Sequence, residues 1–519
     1  MSHRPLQMSE RLRHWLKSRS WMRSFFALLA AGSLSGIASG QEYLEHAPPA
    51  HVAHLPERSP LPRGNLGYDD LPPTDLESRI LALEGVIRTQ SARQRELEEQ
   101  ISFNTMSTLN TSIPTPVSLP PEDKTQKKKW YEKLSMRGYA QIRINETISE
   151  EIGSAPAQHV GDRSIGENQN FLIRRARLIF SGDVSDYVYV YLQPDFASNV
   201  PGSPDANQFC QIRDWYADCY LYTDKVHRLR VGQSKVPYGF ENMQSSSNRL
   251  SLDRSDSLNS AVRNERDLGL FYYWTPEDAQ SFYKDVIDEG LKGSGNYGVF
   301  GAGFYNGQGG SLAEQNDSLH FVTRLNVPMT LESGQRLEAG FQGYTGYYTV
   351  LSSAISPLGV GPAERPLGTL ETGNRDGILD QRLATSFIWY PQPFGFQTEW
   401  NVGRGPGLND AQTEVIERHL YGGYVQAMYK YETDCYGTLF PFIKYNRFKG
   451  GYKPERNSPF SSIDETELGV EWQITKQMEL TSQYVFTNRT NTIANGDDDT
   501  LSYGQFRGDL LRFQFQVNY

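Results

Sequence analysis

The sequence predicts an all-β fold: a 16-stranded antiparallel transmembrane β-barrel preceded by an N-terminal coiled-coil helix. Three observations carry this. From residue 133 onward apolar and polar residues alternate with period two, the spacing that sends successive side chains to opposite faces of a strand. The connections between the alternating segments switch regularly between short and long, as in outer-membrane barrels with tight turns at one rim and long loops at the other. Mean hydropathy is −0.57, and past residue 40 no run approaches the roughly 20 apolar residues of a membrane helix, which excludes a polytopic helical membrane protein.

The N-terminal segments are read in chain order. In residues 1–40, six basic residues (Arg4, Arg11, Arg13, Lys17, Arg19 and Arg23) precede the apolar stretch FFALLAAGSLSGIA, and Ala38-Ser39-Gly40 supplies small residues for cleavage. This is the pattern of an export signal peptide, with a signal anchor as the alternative, and it starts the mature chain near Gln41. Residues 41–75 are Pro-rich and aperiodic, a linker in which His46, His51 and His54 read as a solvated tail rather than a metal cluster. Leu76, Ile80, Leu83 and Ile87 then recur at steps of four and three, and the register continues through Gln90 and Gln94 to Leu97 and Ile101. That 3.5-residue period, between two linkers, favours a self-associating coiled coil over residues 76–103 rather than a helix packed on its own domain. Residues 104–132 form a second linker, and 133–519 the barrel.

Within the barrel the final strand shows the logic. In LLRFQFQVNY (510–519), Leu511, Phe513, Phe515, Val517 and Tyr519 fall on one face, and Arg512, Gln514, Gln516 and Asn518 on the other. One such strand fits a soluble sheet. Sixteen do not, because polar faces rich in Arg, Gln, Asp and Tyr cannot form a core. The arrangement reads inside out, with apolar faces toward lipid, charge toward a wet lumen, and the last strand paired with the first so that every backbone group is satisfied. Tight turns are expected at 182–186, 223–225, 328–334, 391–394, 432–437 and 475–477. Long loops are expected at 146–170, 197–209, 237–267, 306–317, 348–378, 405–418, 448–463 and 489–508. The connection 276–295 is long where a short turn belongs, so the register there is the least determined.

Composition also limits the chemistry. The whole chain carries a net charge of −10. Removing residues 1–40, which hold six basic residues and Glu10 (+6 − 1 = +5), leaves the mature chain near −15, against a nucleic-acid partner. Cys210, Cys219 and Cys435 are the only cysteines, and the first two flank one strand too far apart to bridge without a bend, so no disulfide framework is implied. No GxSxG, HExxH or paired CxxC is present, and GAGFYNGQGG (301–310) opens no helix and reads as a loop. Neither enzyme, metal nor cofactor is expected.

Four stretches carry a family resemblance: FLIRRARLIFSGDVSDYVYVYLQPDFA (171–197), QIRDWYADCYL (211–221), RVGQSKVPYGFENMQSS (230–246) and RNERDLGLFYYW (263–274). Their order and spacing, with the Gly232–Glu241 run, Arg266-Asp267-x-Gly269, Asn306-Gly307 and the terminal Tyr519, resemble the phosphate-selective porin O and P family of Gram-negative bacteria over residues 133–519. The resemblance implies a porin of the outer membrane, usually a homotrimer, with long loops folded inward to narrow the pore. The heptads would then clamp three copies or reach toward the cell wall.

Function is accordingly expected in the lumen. On the strand parity Arg137, Arg143, Arg175, Arg177 and Lys235 face inward, opposed by Asp195, Asp214, Asp218 and Glu241. Arginine suits phosphate and carboxylate, since its planar fork holds two oxygens and stays charged. For any one arginine, bracing of the wall comes ahead of solute contact. The same parity aims Arg174 at lipid, which needs snorkelling at the rim or a bulge. Loop 237–267, with Arg249, Arg254, Arg263 and Arg266, is the candidate constriction, and Lys235 and Glu241 are expected near its mouth. The expected function is passive diffusion of small ions and hydrophilic solutes, with phosphate or anion preference open. A plugged structural protein tethering outer-membrane lipid to cell wall is the alternative, and a secreted all-β hydrolase a third reading.

Overall fold

A computed structural model describes residues 129–152, 171–197, 210–310, 312–351, 376–495 and 500–519, with positions 154, 155, 157, 162 and 165. The signal segment, both linkers up to residue 128 and the heptads lie outside the described residues. The first described residues extend the expected linker by a single 3-10 turn, Trp130–Lys133.

The sheet closes on itself. Its strands are β1 (Ser135–Glu150), β2 (Leu172–Ser185), β3 (Val188–Asp195), β4 (Gln211–Tyr220), β5 (His227–Lys235), β6 (Arg266–Trp274), β7 (Phe300–Tyr305) and β8 (His320–Thr330). The second half comprises β9 (Arg336–Tyr348), β10 (Ile378–Trp389), β11 (Phe394–Leu408), β12 (Val415–Tyr429), β13 (Gly437–Gly451), β14 (Phe460–Gln473), β15 (Met478–Asn495) and β16 (Thr500–Asn518). After Lys430, β12 is continued by Tyr431–Thr433, which pairs with the same neighbour, so the ring has sixteen strands. All neighbours are antiparallel, and β16 pairs with β1 in the register Ile142↔Phe515. Beyond it, the Gly138 N–H donates to the Tyr519 carbonyl at 2.6 Å. Ring closure removes both sheet edges, which an uncompensated edge in hydrocarbon would not permit.

The faces sort as the alternation requires. Met136, Ile142, Trp215 and Val402 are exposed on the outside, while Gln141, Arg143, Arg382 and Lys444, of opposite parity, are almost fully buried inside. All sixteen predicted strands are present, but several run past their predicted ends. Most of the expected loop 489–508 is strand, paired as far as Asn495↔Thr500. The apolar alternation stops where lipid stops, whereas backbone pairing continues into water. The pattern therefore marks the membrane-embedded length rather than the hydrogen-bonded length. Of GAGFYNGQGG, the first half belongs to β7 and only the second half is a loop.

The anomalous connection resolves into structure. Residues 277–288 form an amphipathic helix, α3 (Glu277–Asp288), with Ala279, Phe282, Tyr283 and Val286 buried. Asp and Glu in its first turn suit the helix dipole. Because β6 and β7 nevertheless pair in register, Gly269↔Tyr305 to Trp274↔Phe300, the insertion leaves the ring intact.

Candidate functional site

The inner wall from β1 to β5 is built around arginines. Arg177 donates to Asp195 at 2.7 Å, Arg230 makes a two-point contact with Asp218 at 2.7 and 2.9 Å, and Arg228 lies 3.5 Å from the same carboxylate. Two bulges add to this set. Gln141 pairs with Arg175 and Ile142 with Ile173, so Arg174 is looped out of the ladder and turns to Asp162 at 3.2 Å. Of the two ways to relieve Arg174, the chain uses the bulge. Opposite Gln193 and Pro194 a second bulge skips Arg213, leaving Arg213 and Asp214 both buried between exposed Ile212 and Trp215. Strict parity cannot anticipate this, and Arg213 was accordingly absent from the predicted residues.

From the end of β5 the chain leaves the wall and crosses the bore. Gly232, at φ +122°, has room for no side chain, because a Cβ would lie 2.4 Å from the Trp215 carbonyl. The loop 236–265 carries two short helices, α1 (Phe240–Met243) and α2 (Asp256–Asn259). Many of its contacts run along β10–β16, and the middle one, on β13, lies eight places from β5 round the ring of sixteen, hence on the opposite wall. Glu241 meets Lys444 of β13 at 2.6 Å, and Glu399 of β11 accepts the backbone N–H of Glu241 at 2.8 Å. Asp256 meets Arg489 of β15 at 2.7 Å, Asp253 meets Arg512 of β16 at 2.5 Å, and Arg382 of β10 donates to the Ser260 hydroxyl at 2.7 Å. Glu241 was expected near the pore mouth. It sits against the far wall instead, because the loop spans the bore before it turns back. Lys235 is buried too, its ammonium donating to the carbonyls of Met243 and Gln244 at 2.8 Å each.

Returning, the loop is locked at its base. Glu265 accepts from Arg254 at 2.7 Å and from Arg266 at 2.9 Å, and Arg213 lies 3.7 Å away. Burial works to raise this carboxyl, but Arg254, Arg266 and Arg213 hold it well below the usual carboxylate range. Asp162, in the first long loop, is similar: burial opposes ionisation, while Arg143, Arg174 and Arg512 hold its carboxyl low. Arg266 also donates to Asp214 at 2.9 Å. Next to it, Asp267 accepts the backbone N–H groups of Gly307 and Gly309 at 2.7 and 3.0 Å, which gives the Arg-Asp pair at 266–267 a structural reason.

The segment after α3 enters from the other rim and meets the loop. Lys292 forms an ion pair with Glu471 of β14, its carbonyl accepts from Gln244 at 2.6 Å, and the Gly293 carbonyl accepts from Asn248 at 2.8 Å. Two insertions, one from each side, thus narrow the same bore. Length alone identified both in the sequence; nothing in it showed that they touch.

Of the remaining predicted residues, Arg143 is buried and pairs with Asp162 and, at 3.4 Å, with Asp253. Arg137 is exposed at the short-turn end of β1. Arg263 is partly buried beside the Gly309 turn. Of the seven predicted cations that are buried, four (Arg143, Arg177, Arg254 and Arg266) are ion-paired. The other three are not, among the described residues: Arg175 donates to the Gln141 side chain at 2.8 Å, Arg249 to the carbonyls of Ser251 and Leu252 at 2.8 and 2.7 Å, and Lys235 only to carbonyls. One terminal nitrogen of Arg249 is buried without a partner. The charge is also segregated across the bore. Strands β1–β5 bury seven basic residues (Arg143, Arg175, Arg177, Arg213, Arg228, Arg230 and Lys235) against Asp195, Asp214 and Asp218. Strands β10–β15 bury Arg382, Lys444 and Arg489 against five acids, Asp380, Glu399, Glu465, Glu467 and Glu471. The far-wall charges were not singled out in the sequence, although their parity is the same as that of the chosen ones.

A closed ring of strands, apolar outside and charged within, with loops folded into its bore, is the framework of a membrane channel. The chain belongs to the phosphate-selective porin O and P family, which matches residues 156–519. It is an outer-membrane porin that passes small hydrophilic solutes. No curated protein gives a significant match. Solved structures similar to it include OmpF of Salmonella typhi (13% identity, 76% of this chain and 99% of that one, TM-score 0.45). The channel DcaP of Acinetobacter baumannii (11%, 74% and 97%, TM-score 0.42) and an anion-selective porin from Comamonas acidovorans (10%, 74% and 99%, TM-score 0.39) are also similar.

Proposed function

We propose that the pore prefers anions and that they pass along the β1–β5 wall, against Arg175, Arg249 and Lys235. The observation that carries this is the absence of any carboxylate partner for these three buried cations among the described residues. A cation balanced by its neighbours adds no net field, whereas three cations satisfied only by amide and carbonyl oxygens keep their charge available to a passing solute. Guanidinium groups supply two-point contacts for phosphate or carboxylate, and the acids gathered on the far wall hold the positive strip to one side of the lumen. The ion-paired residues Arg177, Arg230 and Arg266 brace the wall.

Reversal potentials across a planar bilayer in a KCl gradient test the reading. Chloride permeability above that of potassium is expected, and Arg175→Gln with Arg249→Gln should bring the ratio toward one. A cation-selective wild-type channel overturns it.

The remaining assignments belong to the same proposal. Residues 1–40 direct export and are removed near Gln41, and the heptads at 76–103 join three copies on the periplasmic side. Deleting 76–101 should then release monomers that remain folded; intact trimers would give the helix another task, such as reaching the cell wall.

A further inference from the structure

The outer face of the barrel carries a concavity of about 680 Å³ over β8–β12. It lies on the half of the wall nearer the long loops, which is the half in the outer leaflet. The register orders its lining. Thr345, Gln381, Arg404 and His419 are successive cross-strand partners on β9, β10, β11 and β12. Two residues further from the long loops on the same strands come Gly343, Leu383, Val402 and Tyr421, again successive partners. Tyr421 is in turn paired with Lys449 of β13. On β10, β11 and β12 the polar residue therefore sits toward the rim and the apolar one toward the membrane centre, while on β8 Phe321 is rimward of Thr323. Leu383, Val402 and Tyr421 are about half exposed. Arg404 has only a loose contact with Glu417, at 3.4 Å, with both side chains open to solvent.

We infer that this groove is a binding site for a phosphate-bearing glycolipid of the outer leaflet, its phosphate held by Arg404 and Lys449 and its acyl chains lying over Leu383 and Val402. Spanning five strands at about 4.8 Å spacing, the groove is roughly 19 Å wide, room for more than one chain side by side. An anionic headgroup above an apolar tail matches the order of the lining on β10–β12, and a cation within the headgroup region gains from a phosphate partner. Glu417 opposes the phosphate and limits the site to the two cations on either side of His419 and Tyr421.

The test uses the full chain in detergent, with folding checked by heat-modifiable gel migration, and three probes compared by native mass spectrometry. These are a bis-phosphorylated acylated glucosamine disaccharide, the same glycolipid without phosphates, and phosphatidylglycerol of matched chains. Retention of the phosphorylated glycolipid about tenfold above either other probe is expected. Arg404→Glu with Lys449→Glu should abolish that preference, and Val402→Trp, which fills the apolar half and leaves both charges, should reduce retention of all three. Equal retention of the three probes by the wild type overturns the proposal, as does a preference that survives both variants. A disulfide forming between copies through Val402→Cys, in a chain with its three native cysteines changed to serine, would show a subunit interface in the groove and overturn it as well.

Discussion

Replacing Glu241 by Gln tests whether the loop that crosses the bore controls the current. In the native protein one carboxylate oxygen receives Lys444 at 2.6 Å and the other the Ser255 N–H at 2.7 Å. One carboxylate thus ties the two limbs of the loop to each other and to the far wall. A carboxamide has a single acceptor oxygen and can serve only one of these donors, while its NH₂ faces the other. Lys444, fully buried, would keep only the Asp253 carbonyl at 3.3 Å and the Tyr424 ring at 4.8 Å. Stripping a buried ion pair of one partner costs about 3 kcal/mol at the low end, roughly a hundredfold in the ratio of docked to released loop. The Asp256–Arg489 and Asp253–Arg512 contacts remain, so the variant should show brief high-conductance excursions about a hundred times more often, with little change in the main step. Adding Asp256→Asn should raise the main step itself. Single-channel recording in planar bilayers reads both quantities. If the double variant, still heat-modifiable and hence folded, gave the native step and native noise, the loop would not lie in the conduction path and the reasoning would fail.

Other outcomes follow from the same contacts. The Glu265 carboxyl is held low in the folded protein, so its contribution to loop docking is present above the ordinary glutamate pKa of about 4.3 and is lost as pH falls through the folded value; conductance noise should stay at its native level at pH 5 and rise only in stronger acid. Glu265→Gln should remove that acid transition and, by freeing charge on Arg254 and Arg266, shift the reversal potential further toward chloride. Asp267→Ala strips the acceptor from three backbone N–H groups, those of Leu268, Gly307 and Gly309, and should destabilise the barrel by about 2–3 kcal/mol, measured as a lower denaturant midpoint for heat-modifiability. Lys292→Met leaves Glu471 without its ammonium partner and should loosen the insertion that follows α3, seen as faster proteolysis at the 276–299 segment in the folded barrel while the reversal potential stays near the native value.

How much of this could be read from sequence depends on the period of the signal. Alternation by twos is a local property, so sixteen strands, the inside-out faces and the inward direction of Arg143, Arg175 and Arg177 were all legible. Bulges break that rule by one residue, which is why Arg213 is missing from the predicted lumen-facing residues and Arg174 could be placed only as one of two alternatives. Strand ends were misjudged at β15 and β16 for a different reason: beyond lipid the pairing continues without the apolar face that announces it.

Pairing between distant residues left no trace in the sequence. Glu241 and Lys444, or Asp162 and Arg512, are brought together only because the ring closes and a loop folds into it, and no local pattern encodes a contact across a bore. By itself the sequence determined the barrel, its sidedness, the family and the places where the connections are too long for a turn. Tertiary structure alone decided which cations are neutralised and which are left to a solute, because that depends on which carboxylate arrives from the other side of the lumen.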